Sequence, residues 1–264
     1  MAGVVVGVSR DGGSGSALSW ACGEAALHDL PLTLVHAWDE PLELSIELAA
    51  GSRSDVTLPA TSRATRGDVP TVLLAQQPDL LVLGGHEGVP RLSGITRACL
   101  HRAWFPVVIV PARPPPMTRR VVVGLNGSAA SGAALAWAAR EARLRLAALV
   151  VVYVWQVRPR STAQVLRPVR AIPRQQQAAQ DRLGNWVQAQ LGRADVELHA
   201  LHGGPLDRLL DVSLDAELLV LGHGVHTGFG RFLHAAVSDD LSALTPCPVA
   251  VIPGRTTPPR YETD

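Results

Sequence analysis

The residues of this 264-residue chain best able to hold a ligand are glycines, hydroxyl residues and histidines that follow apolar runs. Gly84 and Gly222 each close a run of leucine and valine. A glycine there lets backbone N–H groups approach a phosphate and point at it, although it serves equally as a tight turn after a strand. The turn is the preferred reading for both. The loops to inspect are 9–16, 86–96, 126–131 and 223–238. His199, His202, His223, His226 and His234 crowd the second half. His223 and His226 have Gly224 between them, which argues for a loop, and no carboxylate stands at metal-site spacing. They read as loop histidines beside a pocket, and no metal is expected. Ser128 and Ser238 lack a supporting His/Asp order, so neither is assigned as a nucleophile; Ser238, ahead of Asp239 and Asp240, reads as a helix cap. No catalytic residue is assigned, and a binding or regulatory protein is expected rather than an enzyme.

The elements that must position these loops occur twice. Residues 4–8 (VVVGV) return at 121–125 (VVVGL), and 17–21 (ALSWA) at 134–138 (ALAWA). The segment 32–38 (LTLVHAW) returns at 149–155, 79–84 (DLLVLG) at 217–222, and 105–111 (FPVVIVP) at 247–253. A period above about 100 residues is a duplicated domain and not a solenoid repeat. The short continuous apolar runs read as buried strands: 4–8, 32–37, 80–83 and 107–110, then 121–125, 149–154, 218–221 and 249–252. Leu18, Ala21 and Ala25, with their twins Leu135, Ala138 and Ala142, mark a helix after each first strand, and Ser14 and Ser131 stand ahead of them as candidate caps. Residues 66–70 and 202–205 read as helix starts with Pro in the first turn. Strand–helix alternation implies βαβ units, a parallel sheet and right-handed crossovers.

The offset between twins is 117 through the second strand, 136 at Gly67/Gly203, 138 at Gly84/Gly222 and 142 at Pro106/Pro248. The first copy is therefore shortened by about two dozen residues, 19 of them before Gly67 and four after Gly84. The second copy has room for a helix at 175–191, with Ala179, Leu183, Trp186 and Val187 on one side; the first has room only for a short piece near 42–50. The domains expected are 1–112 and 118–254, joined by a Pro-rich linker at 113–117 and followed by a disordered tail at 255–264.

Composition narrows the function further. Apolar residues make up 47% of the chain, enough for two cores, and few are aromatic. The net charge of +1, with scattered arginines and no lysine, gives no electrostatic case for nucleic acid or membrane surfaces. Cys22, Cys99 and Cys247 lie in apolar surroundings without metal or redox spacing, as expected of reduced thiols in a cytoplasmic protein. No apolar run reaches the ~18–20 residues of a membrane span, and the start does not read as a signal peptide.

The stretch 121–142 (VVVGLNGSAASGAALAWAAREA) and the run 218–253, ending VSDDLSALTPCPVAVIP, resemble the universal stress protein domain. Both halves do so, and the doubling is similar to the tandem form common in actinobacteria. The resemblance implies an α/β fold in which each half is an open parallel five-stranded sheet of order 3-2-1-4-5, Rossmann-like and of the adenine-nucleotide α-hydrolase type. Members often bind ATP, or act as stress-linked regulators without it. ATP-binding members carry Asp after the first strand, in V-D-G-S, and G-x-x-G, nine residues, then G-S or G-T after the fourth. The resemblance places the nucleotide positions at Ser9, Ala37, Gly84, Ser93, Gly94 and Thr96 in the first half. In the second half it places them at Asn126, Val154, Gly222, Val225, Ala235, Ala236, Val237 and Ser238.

This chain departs from that pattern at nearly every point. The Asp position holds Ser9 and Asn126, the second glycine is Glu87 or Val225, and the final G-S is Ala235-Ala236 in the second half. The shortened loop of the first half brings Ser93-Gly94 to that place. Val225 and Ala235 add side chains where backbone must meet phosphate, and Glu87 would repel it. Asn126 can hydrogen-bond a ribose or adenine but lacks the charge of Asp. Ala235 and Ala236 do leave space, Gly228 and Gly230 loosen the loop, and Arg231 and His226 can supply cations.

The leading expectation is a cytoplasmic tandem stress-response protein with degenerate nucleotide loops. Its rival is an ATP-binding protein that uses the second half, with slow hydrolysis. An adenylate- or sulfur-transferring enzyme ranks last, for want of an SGGxDS-type loop or a placed base. The apolar last strands, 107–110 and 249–252, would each lie at a sheet edge, which is an aggregation hazard unless paired. They are expected to pair with each other inside the chain as a pseudo-dimer, and association into a homodimer is left open.

Overall fold

The computed structural model describes residues 3–9, 14–38, 60–85, 92–113, 118–156, 172–192, 195–223 and 245–254. The first half runs β1 (Val4–Gly7), α1 (Gly15–His28), β2 (Leu32–Trp38), β3 (Ala60–Arg66), α2 (Val69–Ala75), β4 (Leu80–Gly84), α3 (Gly94–Arg102) and β5 (Val107–Val110). The second runs β6 (Arg120–Leu125), α4 (Ala129–Leu144), β7 (Ala148–Trp155), α5 (Ile172–Leu191), β8 (Glu197–His202), α6 (Pro205–Ser213), β9 (Leu218–His223) and β10 (Val249–Pro253). The short piece considered near 42–50, the linker residues 114–117 and the tail lie outside the described residues.

The strands order as β3-β2-β1-β4-β5-β10-β9-β6-β7-β8. Each half is thus an open α/β sheet of order 3-2-1-4-5, parallel throughout. The two halves merge into one ten-stranded sheet where β5 runs antiparallel to β10, with Val107 opposite Val251, Val108 opposite Ala250 and Ile109 opposite Val249.

Side-chain parity sorts the inner strands onto two covered faces. Val4 and Val6 join Ala17, Ala21 and Ala25 of α1, and Val121 and Val123 join Ala134, Leu135 and Ala138 of α4. Val5 and Val122 face the other way, with Leu73 of α2, Cys99 of α3 and Leu209 of α6. Helices on both faces are why these strands read as unbroken apolar runs rather than as alternation.

The helix starts follow local chemistry. Asp68 caps α2 by accepting from the Thr71 N–H at 3.1 Å, and Pro stands in the first turn of both α2 and α6. Just ahead, the twins Gly67 (φ 148°) and Gly203 (φ 141°) hold a backbone conformation open chiefly to glycine. The serines differ from expectation. Ser14 occupies the cap position of α1 but makes no capping hydrogen bond. Ser131 is not a cap at all: α4 begins at Ala129, and Ser128 is its N-cap, accepting from the Ser131 N–H at 3.3 Å.

Candidate functional site

The carboxyl ends of the parallel strands are where an open α/β sheet takes its ligands. At the end of β6, Asn126 opens the turn into α4. Its Oδ1 accepts from the Ser128 N–H at 3.0 Å and from the Ser131 hydroxyl at 2.7 Å, and the Ser131 Oγ accepts in turn from the Asn126 N–H at 3.0 Å. Ser131 therefore stitches Asn126 to the helix instead of capping it. A carbonyl oxygen has two lone pairs, and both of those on Asn126 are used. Asn126 keeps only its amide N–H groups for a ligand, whereas an Asp would keep a second oxygen free to accept from a ribose hydroxyl.

The first half repeats the stitch in simpler form. The Ser9 N–H donates to Ser14 Oγ at 2.8 Å, and the two hydroxyl oxygens lie 2.9 Å apart. Ser14 and Ser131 are twins at the offset of 117, so the same serine ties the position after the first strand to the first helix in each half.

Between the ends of β6 and β7 and the start of α6 lies a cavity of about 10 Å³, lined by Gly124, Leu125, Asn126, Val152, Val154, Pro205 and Leu209. That is room for about one water; ligand pockets commonly run to about 300–1,000 Å³. Leu209 and the neighbouring-strand Leu221 fill the space over Gly124: a Cβ there would sit 2.9 Å from Leu221 Cδ2 and 3.0 Å from Leu209 Cδ2. One added at the twin Gly7 would sit 3.5 Å from both methyls of Leu73. Val154 is buried and pairs with Leu201, and the half-buried Ala37 pairs with Thr65.

Of the glycines in the expected phosphate loops, Gly222 has a packing duty. A Cβ at Gly222 would lie 2.6 Å from the carbonyl oxygen of Ala130, 2.7 Å from its carbon and 3.0 Å from the Ser131 nitrogen. The first turn of α4 crosses β9 at that point, and only glycine allows so close an approach. Gly84 ends β4 in register with Val110. Ser93 caps α3, accepting from the Thr96 N–H at 3.1 Å, with its hydroxyl 2.9 Å from that of Thr96; Gly94 is the first helical residue, with open space where a Cβ would point. Val225, Ala235, Ala236, Val237 and Ser238 lie outside the described residues, as do Glu87, His226 and His234.

The remaining histidines do not converge. His199 and His202 stand on edge strand β8, and two strands, β7 and β6, separate them from His223 on β9. His202 lies against the Trp155 ring at 4.6 Å, while His223 meets the ring of His101, from the first half, edge-on at 5.8 Å.

The polar group that sequence reasoning missed lies elsewhere, where α1 meets α4. Glu24 and Glu141 are 1% and 0% exposed, and they meet His28 and Arg145 in one network. His28 Nε2 is 3.2 Å from Glu24 Oε1 and 3.1 Å from Glu141 Oε1. Arg145 pairs through Nη2 with Glu24, and through Nη1 with Glu217 at 3.0 Å. Hydrogen bonds to Glu141 and then Glu24 push the imidazole of His28 up to about 9. Burial pushes the Glu141 carboxyl up. At Glu24, burial is outweighed by the hydrogen bond with His28 and the charge of Arg145, and the carboxyl is held below its ordinary value. The signal was present in the repeat: Glu24 and His28 have Glu141 and Arg145 as twins, on a helix face lined mostly by alanine.

Comparison with known proteins agrees with this architecture. The family model described as the universal stress protein family matches residues 117–253. Across 94% of its length the chain is 26% identical to universal stress protein Rv2623 of Mycobacterium tuberculosis, covering 95% of that protein. It is 27% identical to universal stress protein Rv2005c of the same organism, over 94% of this chain and 96% of the relative. Among solved structures, a protein of unknown function from Pseudomonas aeruginosa superposes with a TM-score of 0.66 at 18% identity, over 95% of this chain and 92% of the other. A universal stress protein from Archaeoglobus fulgidus superposes with a TM-score of 0.63 at 14% identity, over 95% and 96%. The structural likenesses speak to fold alone.

Proposed function

The chain belongs to the universal stress protein family, and from that premise we propose that it is a cytoplasmic, tandem stress-response regulator whose nucleotide loops have degenerated. Membership of the family supports the stress-response part. The proposed units are 1–112 and 118–254, working as a pseudo-dimer through β5 and β10 rather than as a catalyst. The observation that carries the loss of nucleotide binding is Asn126: its side-chain oxygen is spent on Ser128 and Ser131, beside a cavity of about 10 Å³. The departures at Val225, Ala235 and Ala236 point the same way. Among the described residues no helix is long and apolar enough to cross a membrane.

The test is to purify the protein natively, assay it for co-purified nucleotide and titrate it with ATP by calorimetry. No bound nucleotide, and no heat of binding at millimolar ATP, is the expected result. Nucleotide near one per chain would overturn the reading in favour of an ATP-binding second half.

A further inference from the structure

The pairing of the two halves is reciprocal, residue by twin residue. In the β5–β10 ladder Val108 faces Ala250, its own copy at offset 142; Val107 faces the copy of Ile109, and Ile109 the copy of Val107. A pseudo-two-fold axis therefore passes between Val108 and Ala250, as in an isologous dimer interface. The buried charges obey the same symmetry at offset 117. Glu24 of one half takes Arg145 of the other, and Glu141 takes His28, the copy of Arg145. Within each half the same residues pair at i, i+4.

One substitution breaks this symmetry. Arg145 carries a permanent charge, while its twin His28 carries one only when protonated. Among the described residues, carboxylates from both halves face them. His28 meets Glu24 from its own helix and Glu141 from α4. Arg145 meets Glu24, Glu141 and Glu217, and lies over the Trp20 ring at 5.6 Å. Glu217 also accepts from the Arg119 N–H at 3.2 Å, and the exposed Arg140 reaches Glu141 at 4.0 Å. Glu24, His28 and Glu141 bring ligand-capable atoms within 4.8 Å of one another. Arg145 already bridges both carboxylates, however, and its guanidinium would repel a metal ion there. The proton on His28 is the labile cation of this site.

We propose that the Glu24–His28–Glu141–Arg145 network is a proton-operated clamp across the pseudo-two-fold, fastening the two halves more tightly when His28 is protonated and loosening them when it is not. Its ligand is the proton, and it acts independently of any nucleotide. Removing that proton leaves two buried carboxylates facing one arginine, which is the costly arrangement for buried charge.

The direction follows from linkage. His28 stands near 9 in the folded chain against an ordinary 6.5. Its contribution is fully present below about 6.5, shrinks as pH rises, and is lost once pH passes about 9. Between those limits folding takes up one proton, so the folding constant falls about tenfold per pH unit from this group. The raised carboxyl of Glu141 acts in the same sense, because the folded state holds that proton more firmly too.

Urea unfolding of the full chain from pH 6.5 to 9.5 is the experiment, with wild type, His28→Gln and His28→Arg compared. Wild type should lose roughly a hundredfold in folding constant across the window relative to either variant. His28→Gln should be less stable than wild type at pH 6.5, and His28→Arg should lack the His28-dependent slope. Equal slopes in wild type and His28→Gln would overturn the clamp. Hydrogen exchange compares the pairing directly: at pH 8.5 the amides of β5 and β10 should be better protected in His28→Arg than in wild type, and equal protection would overturn the link to the pairing. If a variant fails to fold, NMR titration of the wild-type His28 ring decides, since a midpoint near 6.5 would overturn the proposal.

Discussion

Val108 lies directly opposite Ala250 where the two halves meet, and neither exposes any surface. A cation at this point would enter the interior with no partner, because the neighbouring strand residues are apolar. Val108→Lys should therefore cost about 3–5 kcal/mol, as an unpaired buried charge does, and Val251→Lys, at 3% exposure, should behave alike. Thermal melting should show a fall of roughly 10 °C for a protein of this size. An unchanged melting temperature in both variants would mean that β5 and β10 do not hold the chain together.

Glycine positions separate packing from ligand duty. Gly222→Ala forces a methyl into the backbone of Ala130 and Ser131, which cannot yield as a flexible side chain can, and should cost about 1–3 kcal/mol. Gly23 is the control. It lies in the middle of α1, exposed, with nothing within 4 Å of where its Cβ would be. Gly23→Ala should stabilise the protein by about 0.5–1 kcal/mol through helix propensity and a less free unfolded chain. Urea midpoints measured side by side check both. A neutral Gly222→Ala would return that glycine to the ligand-loop reading.

The contrast between what was and was not legible in the sequence has a physical basis. Buried parallel strands announce themselves, and β1, β2, β4 and β5 and their copies fall within one or two residues of the apolar runs. β3 (ATSRATR) was silent because it is exposed along its whole length; only its register with β2, from Leu32–Ala60 to Trp38–Arg66, makes it a strand. The turn after β6 was misread by three residues: Ser128 caps the helix, and Ser131 is recruited by the Asn126 side chain, a contact that depends on loop shape. Leu209 filling the space over Gly124 depends on helix placement in the same way. The bond from His28 to Glu141 spans 113 residues, so no local pattern could reveal it. Only the comparison of twins could.

The thiols offer a test of burial. Burial pushes Cys99 and Cys247 up to about 12, leaving roughly one thiolate in ten thousand at pH 8. Cys22 is raised by burial as well but is partly accessible. A native protein treated with a chromogenic disulfide at pH 8 should release about one equivalent slowly, from Cys22, and the other two only after denaturation. Fast release of three equivalents would contradict the packing around α3 and β10.

The proposed loss of nucleotide binding can be tested by restoring the residues that the family's ATP binders carry. Asn126→Asp should preserve the stitch, because one carboxylate oxygen can accept from Ser128 and Ser131 as Oδ1 does now, while the second becomes free to accept from a ribose hydroxyl. Alone it should not confer binding, because Val225, Ala235 and Ala236 still stand where the family's ATP binders carry glycine and serine. Combined with Val225→Gly, Ala235→Gly and Ala236→Ser, it should bring ATP affinity from undetectable at millimolar concentration into the measurable range by calorimetry. The charge-assisted bond supplies about 1.5–3 kcal/mol of that gain, or roughly one to two powers of ten. If the quadruple variant folds, by its melting curve, and still shows no heat with ATP, the four substitutions do not suffice, and the Leu209 side chain that lines the small cavity is the next to remove. Leu209→Ala in that background should then open the cavity and restore binding.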